Sequence, residues 1–222
     1  ITVNNNVALN KEVVEVSSHT DWPTEQKECL TDGNIETKWC SDRGTPQWAV
    51  VDLGEEKEIV GWRVYHANIA GEGMDKNTMD FSLQYSNLEA PSGSNDEDWI
   101  TADEVTGNTE TITECTLDQT IKARYIRLYI PEPVQAYQGT KIARIYELEL
   151  FGGDTEVSVG TVSEIPAQET TVSVGTKFES LELPSRVPVI LEDGTSYLLP
   201  VQWNDDGYQA NKAGTYTLKA TF

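Results

Sequence analysis

The chain has 222 residues, a length that suits one large or two small domains. Sixteen Lys and Arg against 37 Asp and Glu give a net charge of −21. Such a surface repels phosphate backbones and anionic membranes, which are bound through clustered basic residues, so nucleic acid and lipid headgroups are poor candidates as partners and strongly anionic glycans are disfavoured.

No apolar run approaches the ~20 residues that span a bilayer. The chain opens at Ile1 without Met, as expected of a processed or excised piece. Three cysteines, Cys29, Cys40 and Cys115, cannot all pair within one chain. Whether Cys29 and Cys40 pair is left open; otherwise all three read as buried or incidental thiols. A zinc site is not supported, because no CxxC spacing occurs and His19 and His66 stand alone.

In chain order the pattern is strand throughout. Val60, Trp62 and Val64 alternate with Arg63 and Tyr65; Phe81, Leu83 and Tyr85 alternate with Ser82 and Gln84. Ile126, Leu128 and Ile130 alternate with Tyr125, Arg127 and Tyr129, and Tyr146, Leu148 and Leu150 with Glu147 and Glu149. Period-two runs cut by Gly, Pro, Asn and Asp predict antiparallel strands with one buried face. No long amphipathic helix is evident, so the fold class is all-β and the architecture a β-sandwich.

Composition shifts after Gly152-Gly153. Residues 153–170 lack aromatics and read as a linker or a short leading strand. From 171 to 222 a second β pattern carries a plausible Asp193-Gly194 hairpin turn, with Trp203 beside Val201 as a core candidate. It ends where Tyr216, Leu218, Ala220 and Phe222 still mark an inward face, which suggests a missing final strand.

The stretch from Cys29 to Trp39 is rich in oxygen donors and turns at Gly33. A hard cation such as Ca²⁺ takes six to eight oxygens from carboxylates, hydroxyls and backbone carbonyls. Asp32, Thr37 and the distant Glu147 can supply side chains. Asp, Gly and Asn are equally ordinary turn residues, so the loop by itself reads as a simple turn.

The ordered motifs Asp32-Gly33-Asn34-x-x-Thr37-x-Trp39, Trp48-x-x-Val51-Asp52-Leu53-Gly54, Ala123-Arg-Tyr-Ile-Arg-Leu128 and Arg144-Ile-Tyr-Glu-Leu-Glu-Leu-Phe-Gly152 resemble the discoidin, or factor V/VIII type C, domain. Its bacterial branch is the family 32 carbohydrate-binding module. The resemblance covers residues 1–152 and implies a discoidin-type, jelly-roll-like β-sandwich with a structural Ca²⁺. By the same resemblance Asp32, Thr37 and Glu147 would give side-chain ligands, and Cys29, Asn34 and Tyr146 backbone oxygens. Residues 171–222 resemble a bacterial immunoglobulin-like repeat, a small second β-sandwich.

Neutral sugars are held by hydrogen bonds plus stacking on an aromatic ring. The loop after His66, with Glu72 and Asn77-Thr78, offers such polar groups; within the resembling family the His and Asn lie in the sugar-binding region. Met79 stands where many relatives have Arg, and Cys40 where some galactose-binding relatives have His, which leaves the sugar unassigned. Arg43 is a further polar candidate. Tyr137, between prolines and Gly139, is the favoured stacking ring and Trp22 the second.

No nucleophile motif is present: no G-x-S-x-G, no H-E-x-x-H and no P-loop. The leading expectation is therefore a non-catalytic glycan-binding module with a spacer, the accessory part of a secreted or cell-surface bacterial glycoside hydrolase. Its partner would be a neutral glycan of galactose or N-acetylhexosamine type on host glycoproteins or mucin, bound as a monomer within a larger chain. An adhesion module for a protein or membrane surface is the alternative, and an enzyme in its own right a third reading.

Overall fold

A computed structural model describes residues 2–134, 141–158, 160–194, 196–205 and 207–221. The chain divides into two compact units, Asn4–Val157 and Ser158–Phe222 with Ile1–Val3. Thirteen strands are found among the described residues. Eight lie wholly or mostly in the larger unit: β1 (Thr2–Asn6), β2 (Glu12–Val16), β3 (Trp39–Cys40), β4 (Gln47–His66), β5 (Asp80–Ser86), β6 (Ile100–Val105), β7 (Ile112–Glu132) and β8 (Arg144–Ser158).

β4 and β7 are the two long strands and pair antiparallel along their length. Their register shifts between Asp52 and Lys57 and again between Ile59 and Gly61. Before the shifts, β4 pairs with β2 while the facing half of β7 pairs with β5, which pairs in turn with β6. Beyond them, β4 pairs with β8, which also takes β1 and β3. One continuous eight-stranded ladder thus supplies both layers of a sandwich.

Between the layers lies the main core, with Trp39, Ala49, Val51, Trp62, Val64, Phe81, Leu83, Ile126, Leu128, Ile130, Leu148 and Leu150. Their spacing is the period of two expected from sequence. Trp62 meets Phe81 edge-on with centroids 5.6 Å apart.

Several strands are covered on the outer face too. Val50, Trp99, Tyr125 and Trp48 form a second cluster. Arg127, 1% exposed, lies between Trp99 and Tyr129, with its guanidinium 5.0 and 4.7 Å from the ring centroids. It donates to Gln84 Oε1, the Gly93 carbonyl and Asp96.

Two expected core positions are corrected. Val60 is only half-buried, and Ile59 takes the core place, next to the register shift between Ile59 and Gly61. Tyr146 likewise leaves the core. β4 pairs Tyr65 with Glu147 but His66 with Ile145, so Tyr146 is the extra residue of a bulge. Ile145 takes the core position at this end, and Tyr146 turns instead toward charged side chains.

The smaller unit contains β9 (Val162–Glu164), β10 (Arg186–Leu191), β11 (Ser196–Pro200), β12 (Gln202–Asn204) and β13 (Lys219–Thr221). β10 pairs with both β9 and β11, and β12 with β13, all antiparallel. Between β10 and β11 the chain reverses at Asp193-Gly194, where Gly194 has φ +86°, as the sequence predicts. Val187, Val189 and Leu191 are buried, and Trp203 donates from Nε1 to the Pro184 carbonyl. Tyr216, Leu218 and Ala220 are half-buried in alternation with exposed neighbours, whereas Phe222 lies outside the described residues.

Candidate functional site

The segment that leaves β4, the start of β8 and the stretch before β3 meet at one end of the sandwich. Two arrangements form there, and they share residues of β8.

The first is the Asp32 loop. Asp32 accepts from the backbone N–H of Asn34 at 2.9 Å and from the Thr37 hydroxyl at 2.7 Å. Thr37 also closes on the Asn34 carbonyl. Gly33, with φ +74°, makes the turn and donates its N–H to Glu147 Oε2 at 3.0 Å.

Glu147 is only 2% exposed, and its Oε1 has no hydrogen-bond partner. Burial pushes its carboxyl well above the usual range, the nearby Glu149 and Asp32 carboxylates add to this, and the Gly33 N–H opposes it. An orphaned, buried carboxylate oxygen facing a second carboxylate is the environment a cation relieves. Among the described residues no group of three or more His, Cys, Asp and Glu is positioned for a metal. A cation here would therefore draw on Asp32, Glu147, Thr37 and backbone carbonyls. That all-oxygen donor set suits Ca²⁺ and not zinc.

The second arrangement centres on Glu72. Its Oε1 accepts from Lys38 at 2.7 Å and from the Tyr146 hydroxyl at 2.9 Å, and its Oε2 lies 3.2 Å from Arg144 Nε. Lys38 also reaches Glu25 at 3.3 Å and lies 5.3 Å from the centre of the Tyr146 ring. Burial lowers the Lys38 ammonium, but the Glu72 carboxylate, helped by Tyr146, outweighs it and holds the group well above its ordinary value. Two cations face two carboxylates, so the cluster is locally balanced on a strongly acidic protein. All four charged side chains are partly shielded from solvent, which strengthens their mutual attraction over that of surface pairs.

Glu72 was expected from sequence. Lys38, Glu25 and Arg144 were not, and Tyr146 was expected only as a backbone oxygen for Ca²⁺: single charged residues default to solvated surface, and the ring reads as core. The surviving signal is the run of Arg144 and Tyr146 directly before Glu147.

Trp22 is 71% exposed and its carbonyl accepts from the Glu25 N–H, so it belongs to the turn that carries Glu25. Arg43 is exposed on the loop whose Gly44 N–H bonds the Lys141 carbonyl. Tyr137 lies outside the described residues.

His66 and Asn77 are corrected from ligand contacts to scaffold, since both are 0% exposed. His66 bonds Thr113 Oγ1 through Nε2, packs edge-on against Phe81, and is driven by burial down to about 3. Asn77 accepts from the Asn68 N–H and donates to the Glu110 carbonyl, which fastens the loop that presents Glu72.

Cys29, Cys40 and Cys115 are free thiols. Burial lifts Cys40 to about 11, which keeps it unreactive. No helix is long and apolar enough to cross a membrane among the described residues.

The F5/8 type C domain profile matches residues 13–148, and that of the bacterial Ig-like domain (group 4) matches residues 166–222. The chain belongs to the F5/8 type C domain family, here followed by a bacterial Ig-like domain. Among solved structures it is similar to the family 32 carbohydrate-binding module of Streptococcus pneumoniae EndoD. Identity is 25%, the TM-score 0.55, and the match covers 66% of this chain and 99% of that one. It is equally similar to chitosan-binding module 2 of a Paenibacillus sp. IK-5 chitosanase/glucanase, solved with chitotriose. There the identity is 25% and the TM-score 0.54, over 66% of this chain and 100% of that one. No curated protein sequence matches the chain.

Proposed function

We propose that this chain is a non-catalytic, Ca²⁺-stabilised glycan-binding module with an Ig-like spacer, serving an extracellular bacterial glycoside hydrolase. The observation that carries the reading is the Glu72 cluster, with exposed Trp22 on the turn that carries Glu25, in a sandwich whose solved relatives include carbohydrate-binding modules.

Glu72, Lys38, Arg144 and Tyr146 hold one another in place before any ligand arrives, so few rotamers need ordering on binding. Ammonium, guanidinium and phenol donate, and the carboxylates accept, which matches the mixed character of sugar hydroxyls. Trp22 supplies an apolar plane for a pyranose C–H face. Because the cluster is balanced, a neutral sugar brings no uncompensated charge; this supports galactose or N-acetylhexosamine glycans, including those of host glycoproteins or mucin. A shallow site of this kind gives roughly micromolar to millimolar affinity. That suffices for targeting, since tethering raises the local concentration of an attached catalytic module.

Ca²⁺, when bound by Asp32, Glu147 and Thr37 with backbone oxygens of Cys29, Asn34 and Tyr146, would supply a fixed charge that joins the early loop to β8. The test is a mammalian glycan microarray probed with the full chain in Ca²⁺ buffer, beside Trp22→Ala and Glu72→Ala. Signal on a coherent set of neutral glycans, lost in both variants, is expected. A silent array from folded, Ca²⁺-loaded protein would overturn the reading in favour of a protein-binding adhesion module.

A further inference from the structure

The Asp32 loop and the Glu72 cluster touch at two pairs of consecutive residues. Thr37 closes the loop on Asp32 at 2.7 Å, and the next residue, Lys38, reaches Glu72 at 2.7 Å. On β8, Glu147 takes the Gly33 N–H at 3.0 Å, and the preceding Tyr146 donates to the same Glu72 oxygen at 2.9 Å. The bulge at Tyr146 is what sends these neighbours to different partners. One peptide unit on each side therefore separates the two arrangements.

Glu72 stands on the segment between β4 and β5, which has no residue in the Asp32 loop. Its side chain is tied to Lys38, Tyr146 and Arg144. The positions of Lys38 and Tyr146 are fixed in turn by how firmly Thr37 and Glu147 are held. Without a cation, Glu147 Oε1 stays buried and unpartnered beside the Gly33 turn.

We propose that a cation held between Asp32 and Glu147 sets the geometry of the Lys38–Tyr146–Glu72 constellation, so that metal and glycan bind with positive coupling. This rests on the metal and glycan readings above and adds regulation to them: the metal is a condition for the sugar site and not only a staple of the fold. Coupling is reciprocal by linkage, so disturbing the cluster weakens Ca²⁺ binding even though Glu72 donates nothing to the metal.

Hydrogen exchange of the full chain with Ca²⁺ or EDTA tests it, together with calorimetric Ca²⁺ titration of wild type, Glu72→Gln and Tyr146→Phe. Ca²⁺ is expected to slow exchange at residues 29–38 and 144–148 and also at 67–77. In either variant, protection of 67–77 is lost, protection of 29–38 persists, and Ca²⁺ affinity falls on the order of tenfold. Tyr146→Phe removes only a hydroxyl, which keeps the test open should Glu72→Gln fold poorly. Ca²⁺ binding with 67–77 unchanged, and with equal affinity in the variants, overturns the coupling alone. Absence of Ca²⁺ binding overturns the coupling and the metal reading together. A silent glycan array beside intact Ca²⁺-dependent protection of 67–77 overturns the glycan reading and supports the link from metal to cluster.

Discussion

The backbone N–H of Gly33 donates to Glu147 Oε2 at 3.0 Å across 114 residues of sequence, which ties the loop between β2 and β3 to β8, the last strand of the sandwich. The other oxygen of the same carboxylate is buried and unpartnered. A cation at this point would remove the penalty of an unsatisfied buried carboxylate. EDTA is accordingly expected to lower the melting temperature by several degrees and Ca²⁺ to restore it. Glu147→Gln should melt at one temperature in both buffers. Equal melting of the wild type with and without Ca²⁺, with no metal found by elemental analysis, would sink the metal reading.

Glu72 accepts three donors from two other segments. Replacing it with Ala leaves Lys38 with Glu25 and Tyr146, and takes from Arg144 its carboxylate partner. Glycan affinity is expected to fall at least tenfold, with a stability loss of about 1–3 kcal/mol from the lost charge-assisted bonds. Trp22→Ala should reduce affinity comparably at unchanged melting temperature, because the ring is 71% exposed. Isothermal titration with the best array glycan, beside thermal melts, separates the two behaviours. Undiminished affinity in both variants would move the site elsewhere.

Arg127 is enclosed between Trp99 and Tyr129 and donates to three acceptors. Arg127→Met keeps much of the apolar volume but strands the Gly93 carbonyl and Gln84 Oε1. Chemical denaturation should show a loss of about 2–4 kcal/mol. Arg127→Lys recovers only part of it, since an ammonium cannot stack flat or fork its donors. A lysine variant as stable as wild type would contradict this account of the outer face.

His66 is neutral in the fold down to about pH 3, against an ordinary value of 6.5. In the unfolded chain it takes up a proton as pH falls through 6.5, and the folded chain cannot follow until about 3. Its contribution to stability is therefore intact above pH 6.5 and is lost progressively down to about 3. The slope is about 1.4 kcal/mol per pH unit within that window. By NMR the His66 ring is expected not to titrate between about pH 5 and pH 8. A midpoint near 6.5 would mean that the ring meets solvent, and would return His66 to the candidate ligand contacts.

The layers of the sandwich were legible because alternation at 62–64, 81–85, 126–130 and 148–150 directly records which side chains face the core. The Asp193-Gly194 turn was legible for a similarly local reason. Tyr146 was not, because a bulge shifts the period by one residue and leaves no mark in composition. His66 and Asn77 looked available to a ligand as polar residues on a loop. Their burial arises from bonds to Thr113 and Glu110 on a later stretch of chain, which no local pattern announces. The Glu72 cluster was hidden for the same reason, as Lys38, Glu72 and Arg144 become neighbours only through the fold.

The central claim is that the loop end carrying Glu72 and Trp22 binds neutral glycan. A glycan microarray probed with the full chain in Ca²⁺ buffer, beside Glu72→Ala and Trp22→Ala, tests it most directly. The account predicts signal on glycans ending in galactose or an N-acetylhexosamine, absent from both variants. Signal retained in both variants, or no signal from folded and Ca²⁺-loaded wild type, would contradict it.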